Sequence, residues 1–89
     1  QPPQLITTRS ELAALLPHLL RQAVLGFDLE TTGLDPHQDR VRLVSLAWDG
    51  GVALVDASAV PLEELTPLFG PEGPVLVGHN LKFDLSFLL

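Results

Sequence analysis

The sequence predicts an α/β fold built on one mixed β-sheet. Three observations carry this. An apolar stripe of helical spacing lies near the N-terminus, two runs of strand period flank a tight-turn signal, and a helical segment then leads to a further short apolar run. A meander followed by a helical crossover gives a sheet of mixed direction. Right-handed crossover lays the fourth strand parallel to the first.

Thr8-Arg9-Ser10-Glu11 has the spacing of a capping box. Leu12, Leu15, Leu16, Leu19 and Leu20 then recur as a helical stripe, with a kink or break expected at Pro17. Residues 23–30 read as the first strand, with Leu25, Phe27 and Leu29 on one face and Val24, Gly26, Asp28 and Glu30 on the other. Residues 31–36 have loop chemistry. Residues 41–48 form a nearly continuous apolar strand, Asp49-Gly50 is a hairpin turn signal, and residues 52–56 are the returning strand. Pro61 suits the first position of a short helix ending at Phe69 and Gly70, with Glu63 and Glu64 near its positive end and Pro67 awkward inside it. Residues 75–77 make a short buried strand and residues 80–89 a helix. The expectation is four strands with a fifth missing.

At 89 residues the chain is one domain at most. It is 46% hydrophobic, with 20 leucines, too apolar for a disordered tail. No run reaches the length of a membrane-spanning helix, and no secretory leader pattern is present. A soluble intracellular domain is the default expectation. The absence of cysteine excludes disulfides and thiolate metal sites. The closing Leu85-Ser86-Phe87-Leu88-Leu89 is apolar with no stop signal, which a truncated chain explains; a natural C-terminal helix packed into a core is the alternative. The net charge of −6 is unusual for a polyanion binder, unless some carboxylates hold cations that reverse the local sign.

Two acids are candidates for such a role. Asp28 and Glu30 are two residues apart on a strand, so they share one side of the sheet about 7 Å apart along the backbone. Carboxylates at that spacing can converge on hard cations, and two divalent ions about 3.5–4 Å apart can flank a phosphodiester. All-oxygen donors favour Mg2+ or Mn2+. The competing reading is a solvated strand end, but the apolar surroundings make uncompensated carboxylates costly there. Asn80 and Asp84 form a second pair, one helical turn apart. The parallel crossover brings the start of their helix to the carboxyl end of the first strand, where ligand sites of α/β sheets gather. Asp84 is thereby expected to join Asp28 and Glu30. His79 at the strand–helix junction fits a structural histidine better than a base. His18 and His37 have no evident partners, and Lys82 faces either a phosphate or solvent.

The segment Phe27-Asp28-Leu29-Glu30-Thr31-Thr32-Gly33-Leu34-Asp35-Pro36 resembles the first motif of the DEDD exonuclease superfamily. Val77-Gly78-His79-Asn80-Leu81-Lys82-Phe83-Asp84 resembles its second. Between them, Arg42-Leu43-Val44-Ser45-Leu46-Ala47 is similar to the proofreading domain of family A (bacterial polymerase I type) DNA polymerases. The resemblance covers essentially the whole chain, and two motifs in order are jointly specific. It implies a ribonuclease H-like fold: a mixed sheet with flanking helices, here truncated before the last strand and helices. It also implies Asp28, Glu30 and Asp84 as catalytic metal ligands for a two-metal Mg2+ or Mn2+ site. Thr31 would lie near the terminal 3′ hydroxyl, Leu34 against a base, Asn80 at a phosphate or sugar and Phe83 beside the terminal nucleotides.

The implied reaction is hydrolysis at a single-stranded or frayed 3′ end of DNA, releasing nucleoside 5′-monophosphates. Ribonuclease D-like action on RNA and a non-catalytic polymerase module are the alternatives. The implied setting is cytoplasmic and nucleoid-associated, with the rest of the exonuclease, and then a polymerase domain, following in one polypeptide. The superfamily's third motif, a tyrosine or histidine followed by a fourth carboxylate, has no counterpart here, and the sequence contains no tyrosine. Weak or no activity is therefore expected from these 89 residues alone.

Overall fold

The computed structural model describes residues 2–79, 84, 86 and 87. Its elements are β1 (Gln4–Ile6), α1 (Arg9–Leu20), β2 (Val24–Thr31), β3 (Val41–Trp48), β4 (Gly51–Asp56), a 3₁₀ helix (Leu62–Phe69) and β5 (Val75–Val77). The sheet order is β1-β4-β3-β2-β5. β2–β3 and β3–β4 are antiparallel, whereas β1–β4 and β2–β5 are parallel. The mixed sheet and the parallel crossover to β5 agree with the sequence.

The strand count does not agree. Five strands are present among the described residues, because Gln4–Ile6 pairs in parallel with Ala53–Val55 at the β4 edge. Three residues are too few to show a period, and their partner lies far along the chain. At the opposite edge no strand lies beyond β5 among the described residues.

Helix α1 begins as the capping box requires. Thr8 Oγ1 accepts from the Glu11 N–H at 3.1 Å, and Glu11 Oε1 accepts from the Thr8 N–H at 3.1 Å and the Thr7 N–H at 2.9 Å. The Thr7 backbone bond is the main reason that the Glu11 carboxyl titrates below its ordinary value. Thr8→Ala removes the cap and is expected to lower stability by about 1 kcal/mol, read as a smaller unfolding free energy in urea.

No break occurs at Pro17; the helix runs through it to Leu20. Leu12 and Leu19 are buried on either side of the proline, with Leu20 half-buried beyond it. At about 1.5–3 kcal/mol per buried leucine, packing beyond Pro17 offsets a penalty of about 3 kcal/mol.

The second helical segment is 3₁₀ rather than α, and Pro61 caps it instead of opening it. Pro67 cannot donate to the Glu63 carbonyl as an α-helix requires. The Thr66 hydroxyl donates to that carbonyl instead, at 2.7 Å.

The core lies on one face of the sheet. Leu25, Phe27 and Leu29 of β2, Val44 and Leu46 of β3, and Ala53 and Val55 of β4 pack under Leu12 and Leu19 of α1 and Leu65 and Leu68 of the 3₁₀ helix. Phe27 meets Phe69 edge-to-face, with centroids 5.7 Å apart. On the same side His18 stands edge-on to Trp48 at 5.5 Å, a partner that the sequence did not reveal. Strand alternation sends Asp28 and Glu30 to the other face. That face also carries the exposed Leu5, Val24, Val52, Val75 and Val77.

Candidate active site

The site is built at the carboxyl end of β2. The last β2–β5 pair is Gly26 with Val77, so the Leu29 N–H lies past the end of β5. It donates to Asp28 Oδ1 at 3.0 Å, and it lies close enough to Asp84 to favour that carboxyl's charged form. Asp84 and Ser86 are helical and follow β5 in the chain. The crossover thus delivers Asp84 to Asp28, as the topology predicts.

The two carboxyls differ in environment. Asp28 is exposed, while Asp84 is only 3% exposed and is the one buried charged residue among those described. Desolvation raises the Asp84 pKa above its ordinary value, and the neighbouring Asp28 charge adds to the rise. Its Oδ2 is buried with no hydrogen-bond partner among the described residues. A buried, unpartnered carboxylate oxygen beside a second carboxylate is an unfavourable arrangement that a divalent cation would relieve.

Glu30 sits further along β2 on the same side. Among the described residues no three acidic or imidazole side chains stand close enough to hold one ion together, so the structure brings Asp84 to Asp28 and leaves Glu30 beside them. Glu30 instead lines a cleft of about 690 Å³ with Arg40, Arg42, Asp56 and Ser58. A bulge separates Glu30 from Thr31: they pair with Leu43 and Val41, leaving Arg42 as the extra residue. The two arginines were not singled out as site residues from the sequence. Their signal was faint: two of only five basic residues, just after the acidic loop.

The loop after β2 is held by its own polar groups. Thr32 N–H donates to the Arg40 carbonyl at 2.9 Å, and Arg40 N–H to Thr32 Oγ1 at 3.0 Å. Asp39 reaches across to accept from the Asp35 N–H at 2.9 Å. A Cβ on Gly33 would lie 2.4 Å from Asp39 Oδ2, so glycine is what lets this carboxylate close the loop. Thr31 Oγ1 donates to the Gly33 carbonyl at 2.5 Å, which leaves its lone pairs free to accept. Leu34 stands out at the tip, 81% exposed. His79 is exposed at the end of β5. Asn80, Lys82 and Phe83, and with them the helix expected over 80–89 and its stripe of Leu81, Leu85 and Leu88, lie outside the described residues.

The 3′–5′ exonuclease family profile matches residues 3–89. The chain belongs to this 3′–5′ exonuclease family. Within it, the sequence is 34% identical over 84 residues to DNA polymerase I of Aquifex aeolicus (strain VF5), covering 93% of this chain and 13% of the polymerase. Among solved structures, the catalytic core of RRP6 from Trypanosoma brucei superposes with a TM-score of 0.87 at 25% identity, over 98% of this chain and 25% of that one. Escherichia coli RNase D, an exoribonuclease involved in structured RNA processing, superposes with a TM-score of 0.84 at 23% identity, over 100% of this chain and 24% of its own. The exonuclease fold is thus ribonuclease H-like, as the two motifs imply. The chain spans a small part of each relative.

Proposed function

We propose that this exonuclease segment forms the acidic half of a site that hydrolyses the 3′-terminal phosphodiester of DNA, in the proofreading manner of a polymerase I type enzyme. The observation that carries the reading is the buried, unpartnered Asp84 Oδ2 placed against Asp28. Asp28, Asp84 and, from its neighbouring position on β2, Glu30 are the residues that would hold Mg2+ or Mn2+. When bound, such ions supply charge neutralisation at the phosphodiester and activation of the attacking water.

The protein's own part is positioning. The loop closed by Asp39 presents Leu34 as an apolar surface for a terminal base. The Thr31 hydroxyl, its proton committed to Gly33, accepts from the terminal 3′ hydroxyl. Asn80, Lys82 and Phe83 are proposed to contact the sugar, phosphate and terminal nucleotides. A frayed end is the natural substrate, because a paired end must first unstack. We place the 89 residues as the first part of one exonuclease domain within a longer cytoplasmic, nucleoid-associated polypeptide that includes a polymerase domain.

The test is hydrolysis of 5′-labelled DNA and RNA strands of one sequence by the full-length protein with Mn2+. A ladder shortening from the 3′ end, faster on DNA, is expected. A faster ladder on RNA would support ribonuclease D-like action instead, and no ladder on either would leave a structural module.

A further inference from the structure

The cleft beside Glu30 holds two guanidinium groups that the acidic site does not use. Arg40 and Arg42 line it with Glu30, Asp56 and Ser58. Among the described residues the one ion pair is Arg9–Glu64, so neither arginine is paired with the acids that share its cleft. Asp56 is turned instead towards Ser58, accepting from its N–H at 2.9 Å and its hydroxyl at 2.6 Å. The bulge opposite Glu30 and Thr31 re-aims Arg42, which an unbroken ladder would have kept in register with β2. In a chain of net charge −6, two unpaired arginines at the rim of an acidic centre offer fork-shaped donors suited to phosphate.

We propose that Arg40 and Arg42 form a phosphate subsite for the strand being shortened, holding the phosphodiester immediately 5′ of the scissile one. The polarity follows from the chemistry. A terminal nucleotide has no phosphate on its 3′ side, so the only phosphates besides the scissile one lie 5′ to it. The inference rests on the reading of the site as a 3′-end exonuclease. It adds a contact that fixes the strand's path past Glu30 rather than one that acts on the breaking bond.

The test compares the full-length wild type with Arg40→Ala/Arg42→Ala and Arg40→Lys/Arg42→Lys on a thymidine dinucleotide and on a longer oligothymidylate, with Mn2+. The dinucleotide carries the scissile phosphate alone. For the alanine pair the expected result is a KM raised about tenfold on the longer strand, with kcat unchanged and no change on the dinucleotide. The slope of log kcat/KM against log salt should become shallower by about 0.7, the single-strand value for one phosphate contact. The lysine pair should keep that slope. Both arginines are exposed, so thermal melting should not move.

Equal kinetics on the longer strand would overturn the proposal. So would a loss of the same size on the dinucleotide, which would put the arginines at the scissile phosphate. If the wild type shortens neither substrate while remaining folded, the exonuclease reading fails first and the subsite fails with it.

Discussion

Asp28→Ala in the full-length protein is expected to slow 3′-end hydrolysis by about a thousandfold, with little loss of fold. The magnitude follows from the several kcal/mol of charge stabilisation that a divalent ion supplies at a phosphodiester, of which about 4 kcal/mol corresponds to a thousandfold in rate. The sparing of the fold follows from position, because Asp28 is exposed and accepts from the N–H of the next residue. Glu30→Gln should weaken activity in the same direction by way of metal affinity, so excess Mn2+ should restore part of it. Single-turnover rates on 5′-labelled DNA measure both. An Asp28→Ala protein that cleaves like the wild type would remove Asp28 from the site.

The second large effect concerns the neighbouring side chain. Phe27 is 3% exposed and meets Phe69 across the core, on the opposite face of β2 from Asp28 and Glu30. Phe27→Ala is expected to lower the unfolding free energy by about 3–5 kcal/mol, through lost transfer energy and the cavity left under the 3₁₀ helix. That is a large part of a typical stability of about 5–15 kcal/mol. The midpoint of a urea titration would show it, and a shift below about 1 kcal/mol would mean that the sheet face is packed otherwise than described. The aromatic pair and the acidic pair therefore divide the strand's work: one face fixes β2 in place, and the other displays what β2 carries.

How far the sequence was legible depended on how local each cause is. The period-2 alternation of β2, the hairpin signal at Asp49-Gly50 and the Thr8–Glu11 capping box are interactions between near neighbours, and all appear in the structure. Gly50 adopts φ 112°, the conformation that the turn demanded. The meeting of Asp84 with Asp28 is long-range, yet it followed from one rule of handedness. Most of what stayed hidden had no local cause. β1 exists because β4 offers a free edge, and the path of α1 through Pro17 depends on leucines buried under it. The cleft of Arg40 and Arg42 owes its shape to a bulge that no residue type announces. At Pro67 a neighbouring threonine repaired the backbone and turned an expected α-helix into a 3₁₀ helix.

Thermal melting of the full-length protein shows whether Asp84 and Asp28 are held together for a cation. Without divalent ions, the folded Asp84 keeps its proton at pH values where the unfolded chain has lost it. The folded state then binds more protons at this group, so the contribution of Asp84 to stability is greatest at acid pH and is lost as pH rises above the ordinary aspartate value and through the raised one. At neutral pH, Mg2+ or Mn2+ at about 100 times its dissociation constant should restore about 2.7 kcal/mol. Asp84→Asn should melt higher than the wild type in EDTA, because it removes the buried charge, and should lose most of the ion-dependent rise. An ion-dependent rise of equal size in wild type and Asp84→Asn, or a metal-free wild type that melts higher at neutral pH than the variant, would contradict the account.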